Sequence, residues 1–559
     1  MENEKASRYH DGSSSTHSSR SAVDEYGMAP IEMTPSRMLD MQGNPLNRTT
    51  SRQSETLFPN GVDLNYPFTT TRGAPDVAEY NLETQEGLYR DPTINEEDEE
   101  LVTWTLNDPE NPHNWSKGWK WYITLVNSLL VVCSAFGSSV IAGDLEDVSR
   151  DLHVGPEVAN LACSLTVLGF GVGPLVISPL SEMIGRRIVY LVALAIYIVF
   201  QIPCALAPNI ACLLVCRFIS GLFGCAPLTL AGGVLSDIWE TRDRGLAIAF
   251  FAAGPYAGPT IGPLVGGWIG VCTKDFRWIF WVNMIYMFVM YLLNLPIPET
   301  YAPVLLRWRA QRIRKETGRK VYTAQEKQMM TLREIIQVNL LRPLSLLATE
   351  PILLSISLYI ALVYALLYGY FFAYPNVFVK GKGLNEGITG LMFIPVLVGV
   401  FFALLTTPFI EKQYMAKLDA NNGKSIPEWR LIGMLIAAPF IPLGLLIFGW
   451  TSYPQLIWIG PAFSGAPFGY GMVLFYFSAN NYLIDVYQRF CASALAAKTM
   501  VRSAGGAAFP MFMDYLMDGM GREWAFFLLG MIAVGVIPIP FIFYFYGADI
   551  RKKSKAAIV

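Results

Sequence analysis

The sequence predicts an all-α membrane protein with twelve transmembrane helices arranged in two six-helix lobes. Composition is the first reason, because 53% of the residues are hydrophobic and only 16% are charged, against about 25% charged in soluble proteins. The second is a series of apolar runs long enough to cross ~30 Å of hydrocarbon as helices. The third is a concentration of Lys and Arg in alternate connections between those runs.

The chain begins with a polar tail. Residues 1–117 are rich in Ser, Thr, Pro and acidic residues, include the run NEEDEE at 95–100 and lack apolar periodicity. Such a composition cannot bury enough apolar surface to order itself, so we expect a disordered, cytosolic N-terminal tail. Its opening residues lack the apolar core of a secretory signal, and membrane insertion is therefore expected to begin with the first span.

Twelve apolar runs follow the tail. We expect the spans at 120–142, 158–179, 188–208, 210–236, 247–270, 278–296, 352–373, 387–410, 431–450, 456–481, 494–516 and 524–546. Connections on one side hold basic residues such as Arg186, Arg187 and Lys412, whereas the connection after the first span, GDLEDVSRDLHVGPE, is mostly acidic. Because basic connections favour the cytosolic side, both termini are expected in the cytosol.

A long basic connection separates six spans from six. A weak internal repeat supports this division, since SPLSE at 178–182 is echoed by TPFIE at 407–411 and SDIWETRDRGLA at 236 is echoed by IDVYQRFCASALA at 484. Two similar halves in the same orientation are a known transporter architecture. The predicted parts are an N-terminal lobe at 118–297, a cytosolic basic central loop at 298–350, a C-terminal lobe at 351–547 and a cytosolic C-terminal tail at 548–559.

The connection between the second and third spans reads SPLSEMIGRR and contains Glu182, Gly185, Arg186 and Arg187. Glycine permits a tight turn with close backbone approach. An acid and a guanidinium group can pair across the seam between the lobes and separate when the lobes rock, so we predict a gating loop. The general excess of basic residues on this side is the alternative explanation for the two arginines.

The fourth span carries an unusual charged residue. Arg217 stands in an otherwise apolar helix, four residues before Gly221. A charge inside a membrane is costly and is a functional hypothesis by default, although an arginine that reaches the interface or pairs structurally is the alternative.

The fifth span contains the string AGPYAGPTIGPLVGGWIG. Glycines four residues apart allow helix backbones to approach closely, and a proline bends a helix. We therefore predict a hinge and seal here, with plain helix packing as the alternative. The residues concerned are Gly258, Gly262, Pro263, Gly266 and Gly267.

Taken together, these strings resemble the major facilitator superfamily. Its signature loop is normally written G-x-L-x-D-R-x-G-R-R, and this chain departs from it at Ser178, Glu182 and Met183. The fourth-span motif is similar to one associated with proton coupling, which implies that role for Arg217 and Gly221. The fifth-span string is similar to the signature that accompanies antiport in this superfamily.

Three further stretches resemble the fungal drug:proton antiporter branch. They read NPHNWSKGWKW, PETYAPVLLRWRAQRIRKETG and FSANNYLIDVYQRFCASALAAKTMVRSAGGAAFP, and the resemblance covers nearly everything after Leu101. It implies alternating-access export driven by the proton gradient, with a binding cavity between the lobes. The polar candidates for that cavity are Asn480, Asn481, Asp485 and Arg502.

Aromatic residues are dense in the seventh and tenth spans. Tyr364, Tyr368 and Phe475 are candidates for an adaptable apolar surface in the cavity, although lipid-facing packing is the alternative for any single ring. The predicted spans hold no Asp or Glu near their middle, and Arg217 and Arg502 are the deep charges. This balance favours neutral or anionic substrates over polycations, although polyamine carriers occur in the same branch.

The predicted function is export of hydrophobic, amphipathic or weakly acidic small molecules by proton antiport. A facilitator or symporter that imports a nutrient is the alternative, and an enzyme is disfavoured because the spans hold no histidine or cysteine cluster. The expected partners are the substrate, protons and the lipid bilayer, with no cofactor, metal or nucleic acid. We expect a monomer in the plasma membrane, with the vacuolar membrane as the alternative.

Overall fold

The computed structural model describes residues 88–89, 100–105, 107–240, 244–323, 326, 337–421, 425–554 and 556–557. Most of the predicted tail therefore lies outside the described residues. The described part is almost entirely helical, apart from three short strands. These strands are β1 (Leu88–Tyr89), β2 (Glu100–Val102) and β3 (Val321–Tyr322).

The N-terminal half contains nine helices that occupy the first six predicted spans and the connections between them. They are α1 (Lys117–Ser139), α2 (Leu145–Leu152), α3 (Pro156–Val172), α4 (Pro174–Ile184), α5 (Arg186–Ala205), α6 (Ile210–Gly224), α7 (Ala226–Ile238), α8 (Arg244–Thr273) and α9 (Arg277–Asn294). A 3₁₀ turn at Val140–Gly143 continues α1. Helix α8 runs unbroken over 30 residues in spite of its three prolines.

The connecting segment and the C-terminal half are also helical. Their helices are α10 (Ala302–Thr317), α11 (Arg342–Thr349), α12 (Pro351–Tyr374), α13 (Glu386–Leu391), α14 (Ile394–Ala420), α15 (Ile432–Ala437), α16 (Phe440–Thr451), α17 (Ile459–Phe463), α18 (Gly465–Val486), α19 (Cys491–Ala508), α20 (Pro510–Met520), α21 (Arg522–Val536) and α22 (Pro538–Lys553). Several spans consist of two helices in tandem, because a proline such as Pro174 or Pro510 opens the second one, where its missing N–H is tolerated.

Eight helices in the described part of the chain are long and apolar enough to cross a membrane, and a ninth span is possible if the bent pair α2 and α3 is counted as one. Helices also occupy the three remaining predicted spans, at Arg277–Asn294, Gly465–Val486 and Cys491–Ala508. The last two contain the polar residues Asn480, Lys498 and Arg502, which lower their hydropathy. An all-α membrane fold is thus confirmed, and twelve spans remain consistent with it.

The helix bundle has two ends, and we call the one that holds both chain termini the tail end. At the tail end, where α1 begins and α22 finishes, Arg307 of α10 donates to Met183 O at 3.3 Å and Ser493 donates to Val338 O at 3.4 Å. The connecting segment therefore lies against both halves at this end. The opposite end, called the far end, holds the turn after α1 and the start of α13.

The sequence predicts a tail that ends at residue 117, yet residues 100–105 and 107–116 already belong to the described part of the chain and contact the connecting segment. Strand β2 pairs in parallel with β3 of the connecting segment. Trp104 is buried, and its ring lies 5.8 Å from the guanidinium carbon of Arg309. Arg309 also forms an ion pair with the buried carboxylate of Asp108. Burial raises the pKa of Asp108, but the hydrogen bonds and charge of Arg309 and nearby backbone outweigh this and leave the pKa below its usual value.

Candidate functional site

Tyrosine and basic side chains from four helices meet between the two halves. The ring of Tyr256 on α8 lies 5.0 Å from that of Tyr476 on α18 and 5.9 Å from that of Tyr364 on α12. Arg502 on α19 donates to Tyr476 Oη at 3.2 Å, and its guanidinium carbon lies 4.7 Å from the centre of the Tyr364 ring. We call this group the central cluster, and it comprises Tyr256, Tyr364, Tyr368, Tyr476, Lys498 and Arg502.

The two basic residues of the central cluster are almost fully buried. Lys498 and Arg502 are each 2% exposed. Lys498 donates to Asn480 Oδ1 and lies 4.7 Å from the centre of the Tyr476 ring. Among the described residues neither forms an ion pair with a carboxylate, and the Nε atom of Arg502 has no hydrogen-bond partner. Buried charges without a counter-charge are costly, so this cluster is suited to receive an anionic group.

Hydrogen bonds join the central cluster to the N-terminal half. Ser138 Oγ of α1 and Tyr368 Oη lie 2.7 Å apart, and Tyr368 Oη is 3.5 Å from Tyr364 Oη. The ring of Phe475 packs against that of Tyr359, with the ring centres 4.1 Å apart, and no described ring contact joins it to the central cluster. The structure therefore brings together three of the predicted cavity residues, namely Tyr364, Tyr368 and Arg502, and reaches Asn480 through Lys498.

Asp485 does not lie with the other predicted cavity residues in the central cluster. Its Oδ2 atom accepts hydrogen bonds from Arg430 Nε and Tyr414 Oη, both at 3.2 Å, at the tail end of the C-terminal half. Arg430 also donates to both carboxylate oxygens of Glu411 at 2.8 Å. Asp485 stands at the last turn of α18, one and a half turns beyond Asn480, and therefore lies outside the central cluster. Asn481 is half-buried and takes no described part in the cluster.

A matching charge cluster lies at the tail end of the N-terminal half. Arg186 Nε lies 2.5 Å from Asp237 Oδ2, and both side chains are buried. The ring of Tyr301 stacks 4.9 Å from the Arg186 guanidinium carbon. Glu411 and Asp485 come from the stretches that repeat those of Glu182 and Asp237, so the predicted repeat marks equivalent positions. The ion pairs of these two clusters each join residues of the same half, whereas the sequence suggested pairing across the seam.

Gly185 and Glu299 shape the start of α5. Gly185 has φ +108°, a conformation that favours glycine. The Glu299 carboxylate accepts from the backbone N–H groups of Arg186 and Arg187, both at 3.0 Å, and from those of Thr300 and Tyr301. An anion at a helix N-terminus is stabilised by these free donors. A Cβ at Gly185 would lie 2.4 Å from Glu299 Oε2, so the predicted turn glycine makes room for this carboxylate.

The glycines of the fifth span form a close contact face on α8. A Cβ at Gly258, Gly262 or Gly266 would lie within 2.5 Å of atoms of α1 or the turn that continues it. A Cβ at Gly267 would lie 2.5 Å from Glu386 O of α13, in the other half. A Cβ at Gly390 of α13 would likewise lie 2.6 Å from Pro263 O of α8. This α8 face therefore joins α1 on one side and the C-terminal half on the other.

Arg217 is fully buried and hydrogen-bonded to backbone carbonyl groups. It donates to Gly137 O at 2.7 Å, Ser138 O at 3.0 Å and Ala162 O at 2.9 Å. These bonds tie the end of α1 and helix α3 to α6. A Cβ at Gly221 would meet Thr166 O at 2.4 Å, so this glycine lets α6 approach α3. An arginine keeps its charge in proteins, so Arg217 can act on a proton only through another group.

Sequence reasoning missed Glu299 and Tyr256. Glu299 lies in the polar connection after the sixth span, where a carboxylate carries no signal in a single sequence. Tyr256 stands within the glycine string of α8, two residues before Gly258. A lone aromatic between glycines that contact two neighbouring helices could have indicated a residue facing the seam.

The sequence matches the family model described as Major Facilitator Superfamily over residues 128–510. A Schizosaccharomyces pombe protein named as an MFS-type transporter is 83% identical over 97% of this chain and 99% of its own length. Polyamine transporter 3 of Saccharomyces cerevisiae is 47% identical over 81% of this chain and 73% of its own length.

A solved structure has a similar fold. The proton:xylose symporter XylE bound to 6-bromo-6-deoxy-D-glucose aligns with a TM-score of 0.57 over 77% of this chain and 97% of that protein, at 16% sequence identity. Identity at this level carries the fold alone.

Proposed function

This chain belongs to the Major Facilitator Superfamily of transporters, and we propose that it exports amphipathic or weakly acidic small molecules in exchange for protons. Access to the central cluster would alternate between the two ends of the bundle. The observation that carries the proposal is the pair of buried cations, Lys498 and Arg502, among tyrosines contributed by both halves.

The chemistry of the central cluster supports an anionic or neutral aromatic substrate. A carboxylate or phenolate would supply the counter-charge that Lys498 and Arg502 lack among the described residues. The tyrosine rings would contact the apolar part of the same molecule. A polyamine carries several positive charges and would be repelled by both cations, so this chemistry disfavours the substrate named for the yeast relative.

The seam along α8 supports alternating access. Its glycine face contacts α1 on one side and α13 on the other, so a small rotation of one half would open or close the far end. The two tail-end clusters, Arg186 with Asp237 and Arg430 with Glu411, would keep each half rigid during rocking. Arg217 would position the end of α1 for this movement.

Orientation and location belong to the same proposal. The basic residues of the tail end favour a cytosolic tail end with both termini inside. The predicted lobes, central loop and tails then assume the topology of an exporter in the plasma membrane, or alternatively in the vacuolar membrane. A monomer is sufficient, because the central cluster is built from a single chain.

Export assays with a charge variant test the proposal. Cells without the gene, cells with the parent protein and cells with Lys498→Met are loaded with an aromatic carboxylate, a neutral azole or spermidine, with and without a protonophore. Loss of a buried hydrogen bond to a charged group, about 1.5–3 kcal/mol, predicts a roughly 10- to 150-fold loss of carboxylate export. Azole export is expected to change much less.

The matched control is Lys412→Met, which removes an exposed lysine of α14. It is expected to export like the parent protein. Spermidine export that exceeds carboxylate export would contradict the proposed substrate class. Lower cellular uptake on deletion of the gene would reverse the direction and favour a nutrient importer.

A further inference from the structure

Asp144 is a fully buried carboxylate at the far end, directly after the turn that continues α1. No donor among the described residues bonds either of its carboxylate oxygens, and a hydrogen bond between Asp144 and the neighbouring Asp147 requires a proton on one of the two carboxyl groups. Gly270 of α8 packs closely against the Asp144 side chain, since a Cβ at Gly270 would lie 2.7 Å from Asp144 Cγ. An ionised carboxylate without donors is strongly disfavoured in such a site.

The charged neighbours of Asp144 do not compensate for this burial. Asp147 on α2 and Glu386 on α13 repel a negative charge, and Arg150 on α2 attracts it. Arg150 itself forms an ion pair with Asp147 at 2.6 Å, with 62% of its side chain exposed. Burial, followed by the two acidic neighbours, raises the pKa of Asp144 to about 8.

Asp144 also lies at the seam between the halves. A Cβ on the preceding Gly143 would lie 2.5 Å from Gly267 N, and a Cβ on Gly267 would lie 2.5 Å from Glu386 O. Movement of α13 away from α8 would therefore uncover this region and separate Glu386 from Asp144. Water would then reach the carboxyl group, and its pKa would fall towards the ordinary value near 4.

We propose that Asp144 is a proton-binding switch of the far end, neutral while α8 and α13 close over it and ionised when they separate. Protonation from the far side favours closure, and loss of the proton favours opening. A role for this switch in transport rests on the proposed proton antiport. In that exchange Asp144 would take up a proton from the far side, and the far end would then close. Asp144 belongs neither to the central cluster nor to the two tail-end charge clusters.

The direction of the pH dependence follows from the two pKa values. A group whose pKa is higher in the closed state favours closure fully at low pH, and this contribution is lost as pH rises. Between the open value near 4 and the closed value of about 8, the ratio of closed to open protein falls by up to about tenfold per pH unit. Above about pH 8 the ratio becomes independent of this group.

Cysteine labelling of purified protein in lipid nanodiscs tests the switch without any substrate. Thr389 of α13 is 3% exposed at the seam, so Thr389→Cys should react with N-ethylmaleimide only when the far end opens. The native Cys272 on α8 is exposed and serves as the internal standard for the reactivity of thiolates at each pH. Mass spectrometry gives the ratio of the two labelling rates.

We expect this ratio to rise about fiftyfold between about pH 6 and about pH 8. Asp144→Asn, which mimics the neutral carboxyl, should hold the ratio low at every pH. Glu146→Gln removes an exposed carboxylate of α2, two residues from Asp144, and should retain the parent's pH dependence.

A ratio that does not change with pH in the parent would overturn the switch, whether or not any variant folds. Persistence of the pH dependence in Asp144→Asn would also overturn it, and its loss in Glu386→Gln instead would assign the proton to Glu386. Because the assay contains no substrate, a failure of the export proposal would appear in the cellular assay and leave this result unaffected.

Discussion

Gly266→Ala is the perturbation whose effect can be worked out most directly from the structure. A Cβ at Gly266 would lie 2.0 Å from Val140 O, whereas carbon and oxygen atoms in close contact are normally about 3.3 Å apart. The turn after α1 and helix α8 would therefore have to part by about 1.3 Å. The clash involves backbone atoms, so no side-chain rotation can relieve it.

The expected magnitude follows from overpacking. Forcing an extra methyl group into a closely packed contact costs about 1–3 kcal/mol. If the strain falls on the closed far end, the ratio of closed to open protein drops by about 5- to 150-fold. Export should fall accordingly, and the Thr389→Cys label should react faster at every pH.

Gly535→Ala is the control. The same substitution on α21 meets nothing within 4 Å, and the residue is exposed. Alanine is the better helix former by roughly 0.8–1 kcal/mol, so this variant should be as stable as the parent or slightly more stable. Equal export and equal labelling for Gly266→Ala and Gly535→Ala would refute the reasoning that α8 seals against α1.

Three other variants test separate parts of the structure. Gly185→Ala places a side chain at φ +108° and against Glu299 Oε2, so the yield of monodisperse protein should collapse, whereas Gly318→Ala, with φ +69° and nothing within 4 Å, should lose only about 1 kcal/mol of stability. Arg217 reaches carbonyl groups of α1 and α3 through three separate nitrogen atoms, whereas the donors of a lysine all lie on one nitrogen, so in Arg217→Lys both the melting temperature and the export rate should fall nearly as far as in Arg217→Ala; a parental melting temperature would contradict the tie between α1, α3 and α6. Asp108→Asn removes the buried charge that pairs with Arg309, and limited proteolysis should then cut near Trp104 faster than in Glu110→Gln, whose partner Arg312 is exposed; equal cleavage would show that the Asp108 pair does not hold this segment in place.

The sequence predicted the features that depend on spacing along one helix. Glycines four residues apart on α8 do form a contact face, and the repeated motifs do mark equivalent charge clusters in both halves. Arg217 and Arg502, which the sequence marks as charges within spans, are both buried within the bundle.

Features that depend on contacts between distant segments could not be predicted. Asp485 follows Asn480 by five residues, yet the end of α18 carries it to Arg430 at the tail end. Asp108 and strand β2 have their partners, Arg309 and β3, about two hundred residues away. Two of the hydrogen bonds to Glu299 likewise come from Arg186 and Arg187, more than one hundred residues earlier in the chain.

Transport in liposomes tests the central claim, proton-driven movement of an amphipathic anion, most directly. Purified protein is reconstituted into vesicles with an acidic lumen or an alkaline lumen, and accumulation of a radiolabelled aromatic carboxylate is compared with that in protein-free vesicles. Passive partition drives a weak acid towards the alkaline side, so only an antiporter can concentrate it in the acidic lumen. We predict accumulation in the acidic lumen that is abolished by a protonophore and by Lys498→Met; accumulation only in the alkaline lumen, or a preference for spermidine, would contradict the account.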